Sequence, residues 1–190
     1  MKKFEPNHNL FDNLDEKATY VLGFWLADGS ICLHKIRNKY YKTFSLHNTD
    51  NQMIKDLELI VNHNSTIRKN RNPYIFNQTF RSKLKPSYTI TIYSDKLFDF
   101  CYDITKSTRK SDKEIRLPDI PKKCFSHFIR GFFDGDGSIC VKHYKTRHGK
   151  EISALQTSFT AGEDTGNFLE NFKNKLREFI PIGDKKYQME

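Results

Sequence analysis

Apolar residues crowd into two stretches of the chain, Tyr20-Val-Leu-Gly-Phe-Trp-Leu-Ala-Asp-Gly-Ser-Ile-Cys32 and Phe128-Ile-Arg-Gly-Phe-Phe-Asp-Gly-Asp-Gly-Ser-Ile-Cys140. They overlay without a gap: Gly23 on Gly131, Phe24 on Phe132, Asp28 on Asp136, Gly29 on Gly137, Cys32 on Cys140. Self-similarity of this kind sets the architecture before any other reading, and two copies point to two related halves rather than a solenoid. In each copy an apolar helix runs into an Asp-Gly turn. The first spans Ala18 to Ala27, begins near Glu16 behind an Asp15 cap, and is apolar on nearly every side, so it should be buried between layers. Gly29 suits a left-handed helix end.

Around these helices the polar and apolar pattern repeats. Ser30–Lys35 and Tyr40–His47 alternate with period two and read as a strand pair joined by the basic connection Lys35–Lys39. Thr49 or Asp50 caps an amphipathic helix that runs to Val61. Residues 64–86 are basic and rich in turn formers. Tyr88–Tyr93 alternates as a strand, and Ser94 or Asp95 caps a helix over Lys96–Ile104. Residues 1–14 read as a lead-in and 105–121 as a linker. The second copy then gives a helix over Lys122–Asp134, strands Ile139–Tyr144 and Ile152–Thr160, a connection Lys145–Lys150, and a helix over Thr165–Phe179. Each half reads α-β-β-α, an α+β fold. The halves are expected over residues 1–116 and 117–190, with the second breaking off at Glu190, where its third strand should begin.

Composition adds three constraints. A 37% hydrophobic content over 190 residues supports a real core. No run approaches the ~20 apolar residues of a membrane span, and no apolar segment follows the N-terminal lysines as in a signal peptide. Cysteines at 32, 101, 124 and 140 lack metal-site spacing and read as buried reduced thiols of an intracellular protein. The net charge of +9 points to a polyanionic partner, most often nucleic acid.

The two Asp-Gly turns carry the candidate chemistry. Gly23 and Ala27 lie four apart, as do Gly131 and Gly135, so each helix presents a strip of small residues along which two backbones can approach. If the helices meet there, Asp28 and Asp136 end side by side. Each then sits at the negative end of a helix dipole and close to a like charge. Divalent cations between them would remove both penalties, and hard oxygen donors suit Mg²⁺. A single Asp-Gly would be read as a helix-stopping turn; two copies that keep the whole GF-x4-DGSIC pattern favour the metal. His8-Asn9, His47-Asn48 and His63-Asn64 lack the surroundings of a His-metal nuclease and read as surface or turn residues.

The paired stretches resemble the two motifs of the monomeric LAGLIDADG homing endonucleases. Leu22-Gly-Phe-Trp-Leu-Ala-Asp-Gly29 is similar to the first motif, and Ile129-Arg-Gly-Phe-Phe-Asp-Gly-Asp-Gly137 more closely to the second. The segment from Arg109-Lys-Ser to Leu117-Pro-Asp-Ile-Pro is also family-like. The resemblance implies that the motif helices form the interface between halves, and that Asp28 and Asp136 bind catalytic Mg²⁺ or Mn²⁺, with the carbonyls of Ala27 and Gly135 nearby. It implies curved antiparallel sheets forming a saddle along double-stranded DNA, and a monomer that cuts both strands of a long site. Asp134 has no acidic counterpart, since Leu26 stands there, but that position is not the implied ligand. Lys110 resembles the basic residue near the active centre; as a linker lysine it reads equally well as a phosphate contact or a solvated side chain. Its second-half equivalent would lie beyond Glu190.

For DNA contact the strand pairs and their connections supply Lys35, Arg37, Lys39, Lys42, Arg68, Lys69, Arg71 and Arg81 in the first half. Lys142, Lys145, Arg147 and Lys150 follow in the second. Most such residues contact phosphate and position the protein; fewer read base edges. The expected function is site-specific, metal-dependent DNA cleavage by a free-standing enzyme of intron or phage origin, with no splicing segments. The alternative is a DNA-binding regulator or RNA-splicing maturase of the same fold without cleavage.

Overall fold

The structure is a computed structural model and describes residues 5–62, 68–70, 86–108, 115–160 and 168–180. The first unit contains α1 (Glu16–Asp28), β1 (Gly29–Ile36), β2 (Lys39–Asn48), α2 (Asn51–Val61), β3 (Arg68–Asn70), β4 (Ser87–Tyr93) and α3 (Asp95–Thr105). After a 3-10 turn at Lys122–Cys124 come α4 (Phe125–Asp136), β5 (Gly137–Lys145), β6 (Glu151–Phe159) and α5 (Phe168–Arg177). The protein is thus α+β with antiparallel sheets, and each unit opens α-β-β-α. No helix of the described residues is long and apolar enough to cross a membrane.

Local chemistry accounts for the helix starts. Asp15 accepts a hydrogen bond from the Ala18 amide at 2.8 Å. Asp50, not Thr49, caps α2 through the amides of Gln52 and Met53. Ser94, not Asp95, caps α3 through the Leu97 amide. Each cap satisfies an amide that the helix itself leaves without a partner. Helix α1 is buried from Ala18 to Leu26, as its all-round apolar pattern required. Its end differs from expectation: Gly29 is extended (φ −103°), not left-handed, because the chain passes straight into β1. Glycine is needed there for space, since a Cβ would lie 2.1 Å from Trp25 Cδ1.

The first sheet has the order β1-β2-β4-β3. Gly29 pairs with Leu46 and Ile31 with Phe44; Phe44 in turn pairs with Ile92 and Leu46 with Ile90. Alternation puts Ile31, Phe44, Leu46, Ile90 and Ile92 on one side, all buried beneath the helices. Ser30, Thr43, Ser45, Thr89 and Thr91 occupy the opposite side. The lead-in is more than a tail: Leu10 and Phe11 are buried, and Phe11 stacks on Phe100 at 4.6 Å. The second unit has only the two-stranded β5-β6 sheet among the described residues. Its core is a cluster of phenylalanines, with Phe159 5.1 Å from Phe172 and Phe132 5.4 Å from both Phe168 and Phe172.

Helices α1 and α4 join the two units. A Cβ at Gly23 would fall 2.1 Å from the carbonyl oxygen of Phe128, and one at Gly131 2.0 Å from that of Tyr20. The contacts are reciprocal: Phe128 overlays Tyr20 in the repeat as Gly131 overlays Gly23. Nearer the C-terminal ends, a Cβ at Gly135 would lie 2.3 Å from the Ala27 Cβ. The obstacles at Gly23 and Gly131 are backbone, which cannot swing aside. Gly131→Val is therefore expected to destabilise the fold by at least about 3 kcal/mol. Urea denaturation followed by circular dichroism checks this; a loss under about 1 kcal/mol would show that the helices can part at little cost.

Candidate functional site

Helices that touch backbone to backbone bring their last residues together. Asp28 and Asp136 end α1 and α4, and a Cβ at Gly135 would lie 3.5 Å from the Asp28 amide nitrogen. The small strips Gly23/Ala27 and Gly131/Gly135 thus set the two carboxylate-bearing ends beside each other. Among the described residues, no group of three or more His, Cys, Asp or Glu is placed to hold a metal ion. What the site offers is a pair of carboxylates with carbonyl-bearing helix ends around them. That donor set is hard and oxygen-only, which fits Mg²⁺ or Mn²⁺ completed by water and phosphate oxygens.

Neighbouring strand residues reach both helix ends. Asn48, the last residue of β2, donates from Nδ2 to Asp28 Oδ2 at 2.9 Å. On the other side, the Thr160 hydroxyl donates to the backbone carbonyl of Asp136 at 3.1 Å. His47 bridges the polar side of the sheet, its Nε2 2.9 Å from Ser30 Oγ and its Nδ1 3.0 Å from Thr89 Oγ1. His47 thus lies in the strand predicted for it, and Asn48, read with it as a surface or turn residue, reaches Asp28. The usable signal was register: antiparallel pairing from Gly29 carries the end of β2 past Asp28.

Asp134 has a role the motif did not reveal. Tyr20, on α1, donates its hydroxyl to Asp134 Oδ2 at 2.9 Å, and Arg130 lies over the Tyr20 ring at 4.7 Å. This ties the two helices through Tyr20, eight residues before Asp28, and Asp134, two before Asp136. Burial, and then the Asp134 carboxylate, push the Tyr20 phenol well above its ordinary pKa.

The basic residues divide. Lys35, Arg37 and Lys39 are exposed around the β1-β2 turn, where Arg37 takes a left-handed conformation (φ 54°). Lys142, Lys145, Arg147 and Lys150 are exposed on and around the β5-β6 hairpin, with Lys145 3.7 Å from Glu151. Lys69 is exposed on β3, and Arg68 pairs in the ladder opposite Thr89. Lys42 stands apart. Strand alternation turns it to the helix side, where its ammonium meets Asp99 at 2.5 Å and lies 5.3 Å from the centre of the Phe98 ring. The Asp99 hydrogen bond raises its pKa. Arg71, Arg81 and Lys110 lie outside the described residues. No two cysteines are bridged, and two depart from expectation: Cys101 and Cys124 are buried, but Cys32 and Cys140 are exposed, carried on β1 and β5 to the polar sheet side.

Known proteins place this geometry. No protein-family model matches the chain. It is 26% identical over 139 residues to a DNA polymerase of Acanthamoeba polyphaga mimivirus, covering 71% of this chain but 8% of that protein. Among solved structures it is similar to I-SmaMI bound to uncleaved DNA target in the presence of calcium ions (TM-score 0.57, 16% identity, 93% of this chain and 76% of that one). It is also similar to the I-LtrWI LAGLIDADG homing endonuclease bound to target DNA (0.54, 12%, 90% and 74%). A third is the LAGLIDADG homing endonuclease I-GzeII in complex with DNA target (0.50, 15%, 85% and 71%). The chain has the LAGLIDADG homing endonuclease fold.

Because Tyr20 holds its proton above the usual ~10 of an unfolded tyrosine, the folded state loses stability as pH rises past that value. Tyr20→Phe should cost about 1 kcal/mol at pH 8 and flatten the alkaline loss. Urea midpoints of both proteins between pH 8 and 11 measure it; parallel curves would contradict the burial and Asp134 bond as causes.

Proposed function

We propose that this protein is a site-specific DNA endonuclease that hydrolyses phosphodiester bonds of a long double-stranded target with a divalent cation, Mg²⁺ or Mn²⁺. The observation that carries this reading is the meeting of Asp28 and Asp136 on two helix ends that abut through glycine. Self-repulsion and unfavourable dipoles make that arrangement costly without a cation. In this reading residues 1–116 and 117–190 are two repeats of one monomer about a pseudo-two-fold axis, and each aspartate serves one strand.

Asp28 and Asp136 would hold the metal, with the Ala27 and Gly135 carbonyls beside them. When bound, the cation supplies an activated water and neutralises charge on the attacking and leaving oxygens. The chain's own residues do the rest. Asn48 fixes the orientation of the Asp28 carboxylate, and the buried helix pair sets the spacing between the aspartates. Lys110 is proposed as a basic group near the scissile phosphate. The polar sheet sides, with Ser30, Thr91 and Lys142, face the major groove. Lys35, Arg37, Lys39, Arg68, Lys69, Arg71, Arg81, Lys145, Arg147 and Lys150 bind the flanking backbone. Lys42, held by Asp99, contributes to packing rather than to DNA contact.

A duplex rebuilt from the sequence flanking the gene, with the insertion removed, is the substrate for testing. Asp28→Asn and Asp136→Asn should each lower Mg²⁺-dependent cleavage of it at least about 100-fold while DNA affinity stays within a few-fold. Wild-type cleavage of both strands by either variant would refute the metal assignment. A wild-type protein that binds the duplex and never cuts it would make the fold a DNA-binding regulator or maturase.

Binding should weaken steeply with salt. Replacing Lys145 and Arg147 with alanine should reduce the slope of log Kobs against log salt by roughly 0.9 per lost phosphate contact. An unchanged slope would remove the second hairpin from the interface.

A further inference from the structure

The polar sides of the two hairpins carry the same residues near the aspartates and different ones farther out. Gly29 pairs with Leu46 as Gly137 pairs with Phe159, so β1-β2 and β5-β6 compare position by position. Ser30 and Cys32 recur as Ser138 and Cys140. The next residue out on that side is His34 in β1 and Lys142 in β5. Their cross-strand partners differ as well: His34 lies opposite Tyr41, and Lys142 opposite Ala154.

The chemistry of these two places is unlike. Lys142 is exposed and, among the described residues, has no ion pair; Glu151, the acidic residue of β6, meets Lys145 on the other side of the hairpin at 3.7 Å. Opposite it, Ala154 offers only a methyl group. An ammonium brings three donors and no acceptor. In the major groove guanine alone presents two acceptors, O6 and N7, so it is the base such a group selects. In the first unit Tyr41 stands where Ala154 stands, and its ring meets that of Tyr93 edge to face at 6.3 Å. Beside it, His34 holds Nδ1 3.9 Å from the Cys32 thiol. An aromatic surface without lysine or arginine suits the C5-methyl group of thymine.

Distance along the strand sets where these contacts fall. His34 is six residues beyond Asp28, and Lys142 six beyond Asp136. At ~3.3 Å per residue, each stands about 20 Å out, or roughly five to six base-pair steps of about 3.4 Å from the aspartate pair.

We infer that the two halves of the DNA target differ at this distance: Lys142 selects a G·C pair in one half, and Tyr41 selects an A·T pair at the mirror position of the other. The inference rests on the DNA reading proposed above and adds to it the base pairs chosen and the residues that choose them. Closer in, where Ser30 and Cys32 match Ser138 and Cys140, the halves share their base pairs.

Selection of duplexes from a random-sequence library, at one salt concentration and with Ca²⁺ as the only divalent cation, reads base preference through binding alone. The wild-type protein is expected to select a motif with G·C at one such position and A·T at its mirror. Lys142→Ala should lower the G·C preference at least about tenfold there and leave the rest of the motif intact. His34→Lys combined with Tyr41→Ala should turn the mirror position to G·C. All three residues are exposed, so the variants should keep the native circular dichroism. If Lys142→Ala weakens binding uniformly, lowers the salt slope by about 1 and keeps the motif, Lys142 is a phosphate contact and the inference is overturned. The same base pair at both mirror positions of the wild-type motif overturns it too. A wild-type protein that selects no motif at all refutes site-specific DNA binding itself, and this inference with it.

Discussion

The close approach of α1 and α4 is the constraint on which the rest depends. At Gly23 and Gly131 one helix backbone lies where the other's side chain would be, so the separation of the axes is set by main-chain atoms. Backbone does not repack, and the two helices are held to one register. The helix ends are fixed in turn, and with them Asp28, Asp136 and the strands that leave directly from Gly29 and Gly137. A looser interface built on leucines would leave the spacing between the carboxylates free to drift. Under the proposed function, drift of about an ångström at the aspartate pair would cost activity steeply.

Around that shared axis the halves diverge, and the divergence is chemical. The first unit buries a mixed aliphatic and aromatic core under four strands; the second condenses phenylalanines around α4 and α5 beneath a hairpin. Asp28 receives a side-chain hydrogen bond from Asn48, and the Asp136 carbonyl receives one from the Thr160 hydroxyl. Tyr20 and Asp134 form a cross-helix bond where the repeat places Phe128 and Leu26, which cannot form its mate.

Much of this was legible from residue order. The apolar repeat marked the helix pair and the second sheet's strand pair, the Gly-x3-Ala and Gly-x3-Gly strips marked how the helices meet, and period-two alternation marked Tyr40–His47 and Tyr88–Tyr93 in the first sheet. Other features were not legible, each for a physical reason. Gly29 was read as a left-handed stop, because sequence does not distinguish a glycine needed for its φ from one needed for room beside Trp25. Cys32 and Cys140 were read as buried, because thiols are usually interior; which side of a strand faces the helices is known only from the register. The pair His47-Asn48 reads in the sequence as surface or turn residues, and Lys42 reads as a DNA contact. Pairing across the sheet brought the first two to Ser30, Thr89 and Asp28, and turned the third onto α3.

By itself the sequence determined the duplication, the α-β-β-α order, the buried character of the motif helices and the two carboxylates at their ends. Those properties are local: they follow from periodicity, caps and spacing within some fifteen residues. Only the tertiary structure decided which groups sit beside each carboxylate, which cations look outward from the sheets, and that Leu10 and Phe11 close the core. It also decided that α3 packs over the helix side of β1-β2. Those facts depend on contacts between residues far apart in the chain, and no local pattern encodes which distant element arrives to make them.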